Sequence, residues 1–232
     1  MSAARNKMSG LVRSGEDRKG FLFKSNVILL LVLFMIIFVV PVLPNQREFL
    51  VSTLLCILVI SGLYAADFSR TAFKILSTTG TLVILATIMN LLFPGIQNLN
   101  PLVFLLNTLF FLVVTVALVV HVARAREVDS SALLSAINSY LLIGLSLSIL
   151  CLILDLIVPG SFAQVNASES GFSTFLYYGF VTLTTLGYGD ITPSTELAKS
   201  LAAFTALFGQ LYLVIIMALI IGKYLKGKKS DE

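Results

Sequence analysis

Gly187 and Gly189 stand at alternate positions in the run Thr182-Leu183-Thr184-Thr185-Leu186-Gly187-Tyr188-Gly189-Asp190-Ile191-Thr192-Pro193, between two long apolar segments. The chemistry open to such a run is coordination rather than bond making. A cation at membrane depth must exchange its water shell for protein oxygens, and consecutive backbone carbonyls supply several equivalent neutral oxygens where side chains cannot easily do so. Turning successive carbonyls toward one axis requires the backbone to alternate between right- and left-handed conformations, and the left-handed steps fall most cheaply on glycine. The run reads as a filter for a dehydrated cation.

The elements that must position it are membrane elements. Mean hydropathy is +0.97, and 57% of the 232 residues are hydrophobic against 12% charged, where soluble chains carry about 25% charge. A helix needs roughly 20 apolar residues to cross a bilayer. Six runs qualify: Asn26 to Leu43, Phe49 to Ala66, Ile75 to Phe93, Leu102 to Val122, Ser135 to Val158 and Glu196 to Leu225. A thirteen-residue run, Phe172 to Thr184, is too short to span. With non-helical, glycine-containing backbone behind it, it reads as a re-entrant half-helix, tolerated at that depth only inside protein or beside a watery cavity. The fold class expected is an all-α membrane protein with six transmembrane helices, a pore helix and a filter loop.

Charge placement predicts the orientation. With a cytoplasmic N-terminus, fourteen of the sixteen basic residues fall inside and only Arg47 and Lys199 outside, so the excess of cytoplasmic Lys and Arg fits both termini in the cytoplasm. The net charge of +4 belongs to helix ends facing anionic lipid rather than to nucleic acid. Asp190, Glu169 and Glu196 then lie toward the outer mouth, where they concentrate cations or are simply solvated loop charges.

Thr185-Leu186-Gly187-Tyr188-Gly189-Asp190 resembles the selectivity filter of the tetrameric potassium-channel family, whose TVGYG loops line the pore with carbonyls. Two further features agree with that resemblance. Tyr177-Tyr178 stand where the family commonly has two pore-helix aromatics, and Gly209 lies twenty residues after Gly189, where many members have a glycine that lets the inner helix bend. The likeness covers roughly Phe172 to Gly222. Leu186 departs from the commoner valine, whereas Tyr188 is retained where non-selective relatives have Asp.

The resemblance implies that the carbonyls of Thr185, Leu186, Gly187 and Tyr188 coordinate K+, with the Thr185 hydroxyl completing the innermost site. Thr184, Gly189, Asp190, Tyr177, Tyr178 and Val181 support the filter; Tyr188 packs outward near the two tyrosines, and Asp190 hydrogen-bonds to this aromatic cuff. Val181 occupies the place where some channels have a glutamate. Gly209 is a candidate gating hinge, with close helix packing as its alternative, and packing is the stronger reading at Gly222. Cys56 and Cys151 read as core residues. The lone His121 excludes a multi-histidine metal site. Asp155 could pair with Lys199 or face the pore turret, and Asn166-Ala167-Ser168 forms an outer sequon.

Four segments follow: a basic cytoplasmic tail (1–25), a four-helix voltage-sensor-like bundle (26–125), a pore domain (126–225) and a short tail (226–232). Arg126 to Asn138 is either an interfacial linker or the start of the fifth helix. Pro41 and Pro44 should end the first helix, and 44–48 and 94–101 should be tight outer turns. Voltage-gated relatives carry regularly spaced arginines on the fourth helix, on which the field does about 2.3 kcal/mol of work per charge per 100 mV. Pro101 to Val120 holds no basic residue, and His121, Arg124 and Arg126 come only at its inner end. The expectation is a homotetrameric, potassium-selective channel of the plasma membrane that conducts passively, without steep voltage gating. It performs no covalent chemistry and needs no cofactor beyond K+. Its partners are three further copies, membrane lipid and K+, not nucleic acid. No cytoplasmic domain is expected after the sixth span, so any such domain would sit on a separate subunit. The alternatives are a non-selective cation channel, a regulatory channel subunit and a channel-like transporter; the last is disfavoured by the single Gly-Tyr-Gly unit.

Overall fold

A computed structural model describes residues 20–43, 47–66, 68–93, 99–125, 129–165 and 171–228. The N-terminal tail to residue 19, Asp67, Arg126, the sequon and Glu169 lie outside these described residues. The elements are α1 (Gly20–Val42), α2 (Arg47–Ala65), α3 (Arg70–Leu92), α4 (Leu99–Arg124), α5 (Ser130–Ile157), β1 (Phe162–Ala163), α6 (Phe172–Leu183), β2 (Thr192–Pro193) and α7 (Glu196–Lys228). Among the described residues, α1, α3, α4, α5 and α7 are long and apolar enough to cross a membrane, and the apolar part of α2, Phe49–Ala65, is shorter. The chain is an all-α, multi-pass membrane protein.

Helices dominate because every backbone group must find its partner within its own segment when water is absent. Hydroxyl side chains obey the same rule: on α3, Thr78 donates to the Lys74 carbonyl (2.9 Å) and Thr81 to the Ser77 carbonyl (2.8 Å). α1 does not stop at Pro41. It widens into a π-turn over Met35–Val39 and tightens into a 3₁₀ turn over Val40–Val42 that contains the proline. Since Pro41 has no N–H to donate, the regular ladder cannot continue through it, and the altered spacing absorbs the loss. Pro44 lies outside the described residues. α4 begins at Leu99, earlier than the turn-forming residues suggest, because Pro101 sits in its first turn, where no intrahelical donor is needed.

No separate interfacial element precedes the fifth span among the described residues. The Asp129 carboxylate accepts the Ala132 N–H at 2.8 Å and caps α5, which then runs unbroken from Ser130. Ser131, Ala132, Ser135, Ala136 and Asn138 are already buried in its first turns.

α5 is the central beam. One core joins Leu29 and Leu33 of α1, Leu58 of α2, Val114 and Leu118 of α4, and Leu145 and Ile149 of α5. Buried amides pin the same seam at the inner end predicted from charge. Asn26 donates to the Ala65 carbonyl (2.8 Å), and Asn138 donates to the Asn26 carbonyl (2.9 Å) and side-chain oxygen (3.1 Å). The opposite face of α5 receives α6 and α7. Tyr212 of α7 donates to the Ala136 carbonyl (2.6 Å) and lies 2.5 Å from Ser139 Oγ. Lys223, near the end of α7, donates to the carbonyls of Val122 and Ala123 (3.0 Å for Ala123). A cation there sits at the negative, C-terminal end of α4.

Candidate functional site

The run expected to form the filter hangs from α6, and α6 is wedged between α5 and α7 by three glycines. A Cβ on Gly179 would fall 2.0 Å from Ser148 Oγ and 2.8 Å from Ser148 Cα. One on Gly144 would meet the Phe180 ring at 2.5 Å, and one on Gly209 would lie 2.2 Å from the Leu183 carbonyl oxygen. Helix backbones approach this closely only where side chains are absent, as membrane helices often arrange. α7 runs helical through Gly209, which is buried; the glycine is therefore required by a crossing with the end of α6, whatever bending it also permits.

At the end of α6 the backbone is partitioned. The N–H groups of Thr184 and Thr185 donate to the Phe180 and Thr182 carbonyls (both 3.0 Å), and those of Leu186 and Gly187 both donate to the Val181 carbonyl (3.0 and 3.3 Å). The Val181 main chain thus anchors the start of the run. Among the described residues, no hydrogen bond reaches the carbonyls of Thr185, Leu186, Gly187 or Tyr188. φ is positive at Thr185 (59°), Gly187 (56°) and Gly189 (80°), giving the alternation the glycine spacing demands. Thr185 takes a left-handed step without glycine's freedom, at about 1–2 kcal/mol; the glycine pattern did not signal it.

Side chains close the structure at both ends of the run. Below, the Thr184 hydroxyl donates to the Phe180 carbonyl (2.8 Å), and Gln210 Nε2 donates to Thr185 Oγ1 (3.3 Å). Above, Tyr177 donates to Asp190 Oδ2 at 2.6 Å, and Asp190 Oδ1 accepts the Ile191 N–H at 3.1 Å. Tyr178 is buried against Phe162, ring centroids 5.0 Å apart, rather than facing Tyr188. The Tyr188 ring is 67% exposed in the protomer.

A strap missed in the sequence holds the outer end. β1 pairs antiparallel with β2, Phe162 opposite Pro193 and Ala163 opposite Thr192, and the Ser194 N–H donates to the Ser161 carbonyl (2.8 Å). The chain leaving the filter is thereby tied to the segment following α5. Two-residue strands have no periodicity to detect. Lys199 bonds Glu196 Oε1 at 2.8 Å, an exposed pair on the first turn of α7.

A row of open carbonyls, its amides turned back into a helix end, can coordinate a cation and do little else. Comparison with known proteins agrees. Residues 139–226 match the family described as "Ion channel". A 46-residue segment is 50% identical to potassium voltage-gated channel subfamily KQT member 4 of Homo sapiens, covering 20% of this chain and 7% of that protein. A 71-residue segment is 34% identical to the hyperpolarization-activated voltage-gated potassium channel of Methanocaldococcus jannaschii, covering 31% of this chain and 34% of that one. The matches thus span about a third or less of these relatives' lengths. Residues 139–226 thus resemble the ion-channel family, and shorter segments of the chain resemble potassium channels.

Proposed function

We propose that the chain is one subunit of a homotetrameric, potassium-selective channel that conducts K+ passively. The observation that carries this is the left-handed alternation at Thr185, Gly187 and Gly189, with every intervening carbonyl unengaged. One chain supplies one such row, and a closed coordination cage needs four. Thr185, Leu186, Gly187 and Tyr188 bind the ion; Thr184, Gly189, Asp190, Tyr177, Tyr178 and Val181 hold that row in place.

The surface of α7 supports assembly. Phe204, Leu207, Phe208, Leu211, Val214 and Ile215 are all exposed in the protomer, and copies around an axis would cover one side of this helix while the other lines the pore. The tyrosine ring of Tyr188 would be covered by a neighbour in the same way. Residues 26–125 form the sensor-like bundle and 126–225 the pore. The protein sits in the plasma membrane with both termini cytoplasmic, on the basic residues at one set of helix ends. With no basic residue from Pro101 to Val120, the field has little to pull on, and opening is only weakly voltage dependent.

The test is recording from purified protein in planar bilayers under a K+/Na+ gradient. Reversal near the K+ equilibrium potential, with shallow voltage dependence, is expected. Reversal near zero would indicate a non-selective pore, and silence with intact tetramers a regulatory subunit.

A further inference from the structure

Gln210 has no place in the function described so far. It follows Gly209, the residue of α7 that crosses the end of α6, and its side-chain amide reaches the Thr185 hydroxyl at 3.3 Å. Its neighbours along the helix, Phe208 and Leu211, are apolar and exposed, so an amide here is out of keeping with its surroundings at membrane depth. Thr185 is itself unusual: a β-branched residue, stiff at χ1, held at positive φ. Its hydroxyl oxygen has two lone pairs.

We propose that Gln210 is a positioning residue for the innermost cation site. Its N–H engages one lone pair of Thr185 Oγ1 and fixes the hydroxyl so that the other faces the ion. The amide donor sets how strongly that site holds a cation entering from the cytoplasmic side. The Gly209 crossing fixes where Gln210 starts: because the α7 backbone touches the Leu183 carbonyl, the adjacent side chain spans from α7 to the first filter residue. The inference rests on reading the run as a K+ filter, and its test separates the two.

The probe is Ba2+, a divalent cation of nearly the same radius as K+, applied to the inner face of the full-length channel in planar bilayers. Block is compared for wild type, Gln210→Leu, Thr185→Ala and the double variant; for any variant without current, Ba2+ binding to the purified tetramer is measured by calorimetry. Gln210→Leu should weaken Ba2+ affinity at least fivefold when Thr185 is present and less than twofold when it is Ala. Gln210→Glu, which places a negative charge at the same point, should strengthen it. A Gln210→Leu effect below twofold in both backgrounds overturns the inference. So does an equal loss in both, which would assign Gln210 to helix packing alone. A wild-type channel that does not distinguish K+ from Na+ would instead overturn the filter reading.

Discussion

The bundle and the pore treat polar groups at membrane depth in opposite ways. In the bundle, Asn107 of α4 is fully buried and donates to Thr87 Oγ1 on α3 (3.1 Å) and to the Val103 carbonyl (2.9 Å), while Thr87 donates to the Val83 carbonyl (2.9 Å). In the pore, the carbonyls of Thr185 to Tyr188 have no protein donor among the described residues, although the amides around them do. Helix burial follows a different line: 67% of the spanning stretch of α5 is buried in the protomer, against 22% for each of α3 and α7. The Asn107 amide nitrogen, donating on both sides, ties α4 to α3. An unsatisfied row of carbonyls without water is tolerable only if something else coordinates it. The contrast supports the proposal that conduction belongs to the pore segment rather than the bundle.

The sharpest way to break this contrast is to remove the left-handed steps. Gly187→Ala and Gly189→Ala each place a Cβ at positive φ where nothing crowds it, so the backbone conformation alone is tested. We expect K+-selective flux to fall at least a hundredfold in vesicle uptake, with tetramers still formed. The strain is only about 1–2 kcal/mol per residue, but repeated fourfold around one ring and released by turning carbonyls away, it removes the coordination itself. Preserved flux would mean that the open carbonyls are not the conducting element.

Next in size are the crossings that carry the filter. Gly209→Ala drives a methyl into the Leu183 carbonyl, whereas Gly222→Ala on the same helix meets nothing within 4 Å. Overpacking of this kind costs about 1–3 kcal/mol, so Gly209→Ala should lower the thermal midpoint of the assembled channel and reduce current, with Gly222→Ala close to wild type. Were the two equivalent, Gly209 would be a hinge without a packing role.

Much of this was legible in the chain, for identifiable reasons. Hydropathy marks the spans because each must be apolar over its whole length, and Gly187 and Gly189 mark the left-handed steps because a local backbone demand selects glycine. What was hidden depends on partners distant in sequence. Gly179 and Ser148 belong to separate apolar runs, and only the crossing of α5 with α6 reveals why neither can grow. Gln210 sits within an apolar segment with no neighbour to announce its contact with Thr185. The Tyr177 hydrogen bond to Asp190 was anticipated from the resemblance, but Phe162 as the partner of Tyr178 was not, because the strap that places it is two residues long.

A smaller effect is expected at the outer mouth. Tyr177→Phe deletes the donor to Asp190 while keeping the ring, and a hydrogen bond to a charged group contributes less where it is exposed, as here, than where it is shielded. The filter should still select K+ but lose conductance several-fold faster when external K+ is lowered, read as the decay of macroscopic current. An unchanged decay would leave the Asp190 end held by the β1–β2 strap alone.

The smallest effect should come from the bundle's own polar pair. Replacing Asn107 by Leu and Thr87 by Val together removes both the donor and its acceptor, and deleting both partners of a buried hydrogen bond with side chains of similar shape is nearly neutral. Measured interhelical hydrogen bonds in membrane proteins average only about 0.6 kcal/mol. The double variant should therefore keep its thermal midpoint within a few degrees, and its conductance and open fraction within a factor of two. A several-fold change in open fraction at unchanged stability would place the pair on the path of a conformational change. α4, whose C-terminal carbonyls receive Lys223 from the inner end of α7, would then be a mover despite its lack of charge, because a polar contact broken at one end of the helix would be transmitted to the other.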